Sequence, residues 1–202
     1  NIPTLEDLLN LLNDFDLVEE MCYVLESDEE LKNQYLIQLS YFKKNFYKNS
    51  PGRADTERFV YSAITQLDNL LRYPGIRTIL CNRTNNINFD KALQNGEITL
   101  VCTRRGDLGE TAHKAFGLFF LLLMQYSVLT RPGNEKTRIP HFLYVDEFPD
   151  FLCRATSPIF TLYRKYRVGT IISAQALSQF GAQGKDNYRQ VILSNCSTKI
   201  LF

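Results

Sequence analysis

The sequence predicts two structural grammars in tandem: an all-helical domain over residues 1–75, then part of an α/β domain with a parallel sheet over residues 76–202. Three observations predict it. Up to Leu71, apolar residues recur at helical spacing between turn signals. Beyond Gly75, short continuous apolar runs alternate with helical stretches, as buried parallel strands and their covering helices do. One of those runs, Phe142-Leu-Tyr-Val145, ends on two carboxylates, Asp146 and Glu147, where α/β sheets hold their ligands.

In the helical part, Thr4 with Asp7 forms a plausible capping box before Leu5, Leu8, Leu9 and Leu12. Ser27 with Glu30 suggests a second box, opening a helix through Leu31, Tyr35, Leu39 and Phe42. Asn49-Ser-Pro-Gly52 breaks it. A third amphipathic helix is expected from Asp55 to Leu71, ended by Pro74-Gly75.

In the second part, Ile76–Leu80 reads as a short strand and Ile87–Leu93 as a turn with a short helix. Ile98-Thr-Leu-Val-Cys102 reads as a buried strand, followed by a loop at Gly106 and Gly109. An apolar helix from Thr111 to Leu129 is closed by Pro132-Gly133. Phe142–Val145 is the next buried strand, and Pro158–Tyr166 a helix. Val168–Ser173 is a third strand, Tyr188–Leu193 a helix and Thr198–Phe202 a fourth strand. Such strands imply a sheet covered on both faces. The chain opens without Met and stops inside an apolar run, so both ends read as cuts through a longer protein.

Composition is that of an ordinary globular chain: 202 residues, 45% hydrophobic, 22% charged, net charge +1. The charge is unevenly distributed. Residues 1–30 carry ten carboxylates and no Lys or Arg, while residues 151–202 carry seven Lys or Arg and one acid, Asp186. Two solvated faces would account for this as well as a docking surface would. Five Cys without a Cys-x-x-Cys pair, and only two His, exclude the familiar zinc spacings and read as buried reduced thiols. Ala115–Met124 is too short to span a bilayer and reads as a buried helix. No acid is seen placed to orient His113 or His141, so Ser-His-Asp and Cys-His catalysis have no support.

The chemistry concentrates around Asp146 and Glu147. In a Walker B site the first acid holds Mg²⁺ and the second orients the attacking water; two solvated acids at a strand end fit the same letters. Gln175, at the tip of the next strand, is placed to reach a γ-phosphate or the nucleophilic water, though a helix cap is its plainer role. Arg164, in Arg164-Lys-Tyr-Arg167, suits an arginine finger reaching across a subunit boundary, or a helix-end charge. The sequence contains no Gly-x-x-x-x-Gly-Lys-Ser/Thr. Gly181-Ala-Gln-Gly184-Lys185 and Pro132-Gly-Asn-Glu-Lys136-Thr137 lack its spacing and read as loops. Nothing here supplies the ring of N–H groups that cradles phosphates, and the chain alone is expected not to hydrolyse ATP.

With these residues in place, the chain resembles the type IV secretion coupling proteins, the TraG/TraD-like ATPases of conjugative DNA transfer. The similar stretches are Val145-Asp-Glu-Phe148, Arg164-Lys-Tyr-Arg-Val168, Gln175-Ala-Leu-Ser-Gln179, and Ile192-Leu-Ser-Asn195 through Lys199-Ile-Leu-Phe202. Gly96-Glu-Ile-Thr-Leu-Val101 with Gly106-Asp-Leu-Gly109 looks like that family's central strand and loop. Ser173-Ala-Gln175 departs from it, since relatives carry a more apolar tail before the Gln. The resemblance implies a RecA-like P-loop fold and a homohexameric motor at the cytoplasmic face of the bacterial inner membrane, with its membrane anchor elsewhere. It implies ATP and Mg²⁺ as cofactors, Asp146 holding Mg²⁺ through water, and Glu147, Arg164 and Gln175 as catalytic residues. It also implies a relaxase-bound DNA strand or secreted proteins as cargo, a secretion channel as partner, and a recognition role for the all-α domain. Two alternatives stand beside it: another HerA/FtsK-superfamily motor (a secretion assembly ATPase or DNA translocase), and a non-catalytic docking adaptor.

Overall fold

The computed structural model describes residues 2–181 and 188–200. They fall into two compact units, Asn1–Asn85 and Asn86–Phe202, each with its own core.

The first unit is helical throughout: α1 (Leu5–Asn13), α2 (Phe15–Glu26), α3 (Glu29–Gln34), α4 (Leu36–Asn45), α5 (Arg53–Leu71) and α6 (Pro74–Leu80). The Thr4 hydroxyl accepts the Asp7 N–H at 3.2 Å, and the Asp7 carboxylate accepts the Thr4 N–H at 2.8 Å. Both halves of the expected capping box are therefore made, and two otherwise orphaned donors are satisfied. The second box forms differently. Asp28, not Ser27, caps α3 by accepting from Glu30 and Leu31 N–H at 2.9 and 3.2 Å; the Ser27 hydroxyl turns back to the Tyr23 carbonyl. The single helix expected through Phe42 is broken at Tyr35, and α4 brings Leu39, with Phe46 just beyond its end, against Phe15, Val18 and Cys22 of α2.

Residues 76–80, expected as a strand, belong to α6. Pro74 occupies its first turn, where a missing N–H costs nothing and a fixed φ favours the helix. Pro74-Gly75 therefore starts a helix of the first unit, and the division between units falls beyond it.

The second unit contains α7 (Phe89–Asn95), α8 (Arg105–Leu108), α9 (Glu110–Leu129), β1 (His141–Val145), α10 (Pro158–Thr161), β2 (Val168–Ile172) and α11 (Tyr188–Asn195), with 3₁₀ turns at Phe148–Phe151, Arg154–Thr156, Tyr163–Tyr166 and Leu177–Phe180. β1 and β2 pair in parallel, in register from His141↔Val168 to Val145↔Ile172. This mostly helical chain with a small parallel sheet is compatible with part of an α/β fold.

Two expected strands are not formed. Ile98–Cys102 has no strand pairing, and Ile98 and Leu100 stand 90% and 92% exposed. Thr198–Ile200 is likewise unpaired and exposed, and the rest of that run lies outside the described residues. An apolar run becomes a strand only when a neighbouring backbone takes its N–H and C=O groups, and among the described residues none does. β1 is also not buried on both faces. His141, Leu143 and Val145 turn inward, while Phe142 and Tyr144 are 59% and 72% exposed.

The inward face packs with Val168 against Phe148, Ile159, Tyr163 and Ile192, and against Leu121, Met124 and Val128 of α9. α9 has the length and composition to cross a membrane, yet this face of it is committed to the core. All five cysteines are free thiols, and of them only Cys22 is fully buried. Arg131, also buried, donates to the carbonyls of Leu93, Ile139 and Tyr166 at 2.5, 2.8 and 3.1 Å. Burial, then Arg138 and Arg167, lower its pKa from the usual guanidinium value. It fastens the segments on either side of the sheet's amino edge.

Candidate functional site

The two strands run the same way, so their carboxyl ends open on one edge. Beyond β1 the chain must turn sharply. Glu147 does this in the left-handed region at φ 47°, ψ 47°, a conformation that costs a non-glycine residue about 1–2 kcal/mol. It is held there because its N–H donates to the Ser173 hydroxyl at 3.0 Å and to Asp146 Oδ1 at 3.1 Å. The turn sends Phe148 inward to complete burial, edge-on to Phe160 with ring centres 5.2 Å apart. Burying such a ring contributes about 2–3 kcal/mol, enough to offset the strained residue before it. The acid turn is therefore anchored by its apolar neighbour and leaves both carboxylates exposed.

Gln175 meets them from the segment that follows β2. Its side-chain amide donates to Glu147 Oε1 at 2.9 Å. Its own backbone is fixed by Gln179, whose Oε1 accepts the N–H groups of Gln175 and Ala176 at 3.0 and 3.1 Å. Asp146, Glu147 and Gln175 thus converge on one edge of the sheet. Arg164 does not join them. It is exposed in the 3₁₀ turn that leads into the amino end of β2, about 16 Å of strand away at 3.3 Å per residue.

The donor set suits a hydrated divalent cation. Asp146 Oδ1 is occupied by Ser173 and the Glu147 amide, while Oδ2 accepts from no described side chain. Among the described residues no three His, Cys, Asp or Glu are grouped so as to hold a metal ion. Mg²⁺ is ordinarily held by one or two carboxylates with phosphate oxygens and waters completing its shell, rather than by a closed protein cage. Asp146 meets that need. Glu147, tied through one oxygen, keeps the other for a water.

Sequence reasoning missed three participants. Ser173 and Gln179 bond only across the strand tips or back along the turn. Their sequence signal is faint: a hydroxyl at the end of an apolar run and a Gln-x-x-x-Gln spacing. Asp150 is the third. Its N–H donates to the Glu147 carbonyl at 3.0 Å, and its carboxylate lies 3.5 Å from His113 Nε2, 3.5 Å from Lys114 and 3.6 Å from Arg105. An acid does therefore adjoin His113, supplied by the fold from a distant segment. Asp150 and Lys114 line a shallow groove of about 400 Å³ with Glu110, Phe151 and Cys153, and the contacts of Asp150 tie α8 and α9 to the turn that follows Glu147. Of the two Gly-Lys segments, Pro132–Thr137 is a turn closed by Asn134 and Thr137, and Ala182–Asn187 lies outside the described residues.

Compared with protein-family models, with curated proteins and with solved structures, the chain has no match.

Proposed function

We propose that this chain supplies the acid half of the nucleotide site of a RecA-like motor ATPase, of the kind that couples DNA-protein cargo to a type IV secretion channel. The observation that carries the reading is the convergence of Asp146, Glu147 and Gln175 at the carboxyl edge of a parallel strand pair, with Gln175 bonded to Glu147 at 2.9 Å. Asp146 would hold the Mg²⁺ ion. Glu147 takes the proton side of the attacking water and orients it, and Gln175 fixes the Glu147 carboxylate. Mg²⁺, when bound, neutralises charge on the phosphate oxygens of ATP. The phosphate loop is not in this sequence, so the half-site works only with that loop beside it. Arg164, at the far edge of the sheet, serves a neighbouring subunit's nucleotide in a homohexamer. The acidic helical unit receives the relaxase complex or a secreted protein.

Glu147→Gln tests this directly in the full-length protein. The amide keeps the side chain's shape and its link to Gln175 but cannot accept a proton. ATP binding should be retained and turnover should fall by about 10²–10⁴-fold. Unchanged turnover would overturn the reading, as would wild-type protein that neither binds nor hydrolyses ATP. A docking adaptor would give the second result.

A further inference from the structure

Ser173, the residue just beyond β2, bonds to four consecutive residues around the acid turn, Val145 to Phe148. Its N–H donates to the Val145 carbonyl at 3.1 Å, and its own carbonyl accepts the Phe148 N–H at 3.1 Å. The first closes the last rung of the ladder, Val145↔Ile172, and the second passes over the Glu147 N–H to take that of Phe148; both would form whatever side chain stood there. The hydroxyl adds something the backbone cannot. It accepts the Glu147 N–H at 3.0 Å and donates its own proton to Asp146 Oδ1. One oxygen thus bridges the two acids, giving Asp146 a donor and Glu147 an acceptor.

From this geometry we infer that Ser173 is a positioning residue for the cation: its hydroxyl holds Asp146 so that Oδ2 faces the metal, and holds the Glu147 amide in its left-handed turn. A hydroxyl does both because it donates and accepts at once. Alanine would leave Asp146 Oδ1 with the Glu147 N–H alone, free to rotate about its side-chain bonds. It would leave the strained Glu147 with one acceptor fewer. Partners that orient a metal-binding carboxylate without touching the metal are worth about 10–100-fold in metal affinity. The side chain is exposed, so the methyl of threonine has room and the hydroxyl survives in Ser173→Thr.

The inference rests on the nucleotide-site reading, and the test separates the two. In the full-length protein, binding of a fluorescent ATP analogue is measured in Mg²⁺ and again in EDTA, for wild type, Ser173→Ala, Ser173→Thr and Asp146→Asn. Ser173→Ala should lose about tenfold in Mg²⁺ and nothing in EDTA, with Ser173→Thr close to wild type. Without nucleotide, hydrogen exchange at the Glu147 amide should quicken in Ser173→Ala and not in Ser173→Thr. If Asp146→Asn shows the Mg²⁺-specific loss and Ser173→Ala does not, the role of Ser173 is overturned and the site reading stands. An equal loss for Ser173→Ala in Mg²⁺ and EDTA also overturns it. If Asp146→Asn binds as wild type does in Mg²⁺, the site reading falls and the inference with it.

Discussion

His141 opens β1 with its ring turned inward, and burial, reinforced by the nearby Arg131 guanidinium, holds its pKa below the ordinary value of 6.5. The unfolded chain therefore takes up the proton first as pH falls. Its share of stability is full above about 6.5 and drains away as pH drops toward the lowered folded value. We predict that the thermal midpoint of the second unit falls between pH 7.5 and 5.5, and that His141→Gln flattens this dependence; an unchanged slope would refute the assignment. Asp7 works in a lower window. The Thr4 N–H and hydroxyl, and then Arg83, hold its carboxyl below the usual range. That contribution is present above about pH 4 and lost only in stronger acid. At this scale Asp7 is legible in the sequence, because a capping box is a local pattern. The left-handed Glu147 is not legible, since one of its two acceptors, the Ser173 hydroxyl, is brought there by the pairing of distant strands.

At the scale of elements, α9 and the turn after β1 are matched to each other. A Cβ on Gly117 would run into the Phe151 ring, and Phe151 is itself buried. Alanine is the better helix former by about 1 kcal/mol, but forcing a methyl against a trapped ring costs about 1–3 kcal/mol. Gly117→Ala should therefore lower stability, read as a drop in melting temperature. A rise would mean that Phe151 swings aside. The same substitution presses on the Phe148–Phe151 turn that follows Glu147. The sequence identified α9 and both paired strands from apolar runs and turn signals. It misread Ile76–Leu80, where a proline that opens a helix resembles one that closes its predecessor. It misread Ile98–Cys102 because apolar content does not state whether a partner strand is present.

The whole molecule is two units with separate cores. Phe46 anchors the first, its ring 4.6 Å from Phe15 and 5.1 Å from Phe42. Phe46→Ala should cost about 3–5 kcal/mol, measured by urea unfolding of residues 2–85. A loss below about 1 kcal/mol would show that the cluster collapses around the gap. In the second unit, the exposed Phe142 and Tyr144 face of β1 contrasts with the packed face behind it. A two-stranded sheet with helices on one side leaves that face unused.

The part of the protein built from local bonds can be read along the chain. The helical first unit, the Thr4–Asp7 cap, α9, and the two apolar runs ending at Asp146 and near Gln175 all follow from spacing along a single stretch of chain. Helices bond between residues four apart, and turns between residues three apart, so their signals are contiguous. The tertiary structure alone decided which apolar runs became strands, which face of β1 was covered, and which side chains completed the acid turn. Ser173 reaches Asp146, and Asp150 reaches His113, only because parallel pairing and core packing bring separate segments together. Those bonds join residues with no fixed spacing, and no pattern along the chain announces them.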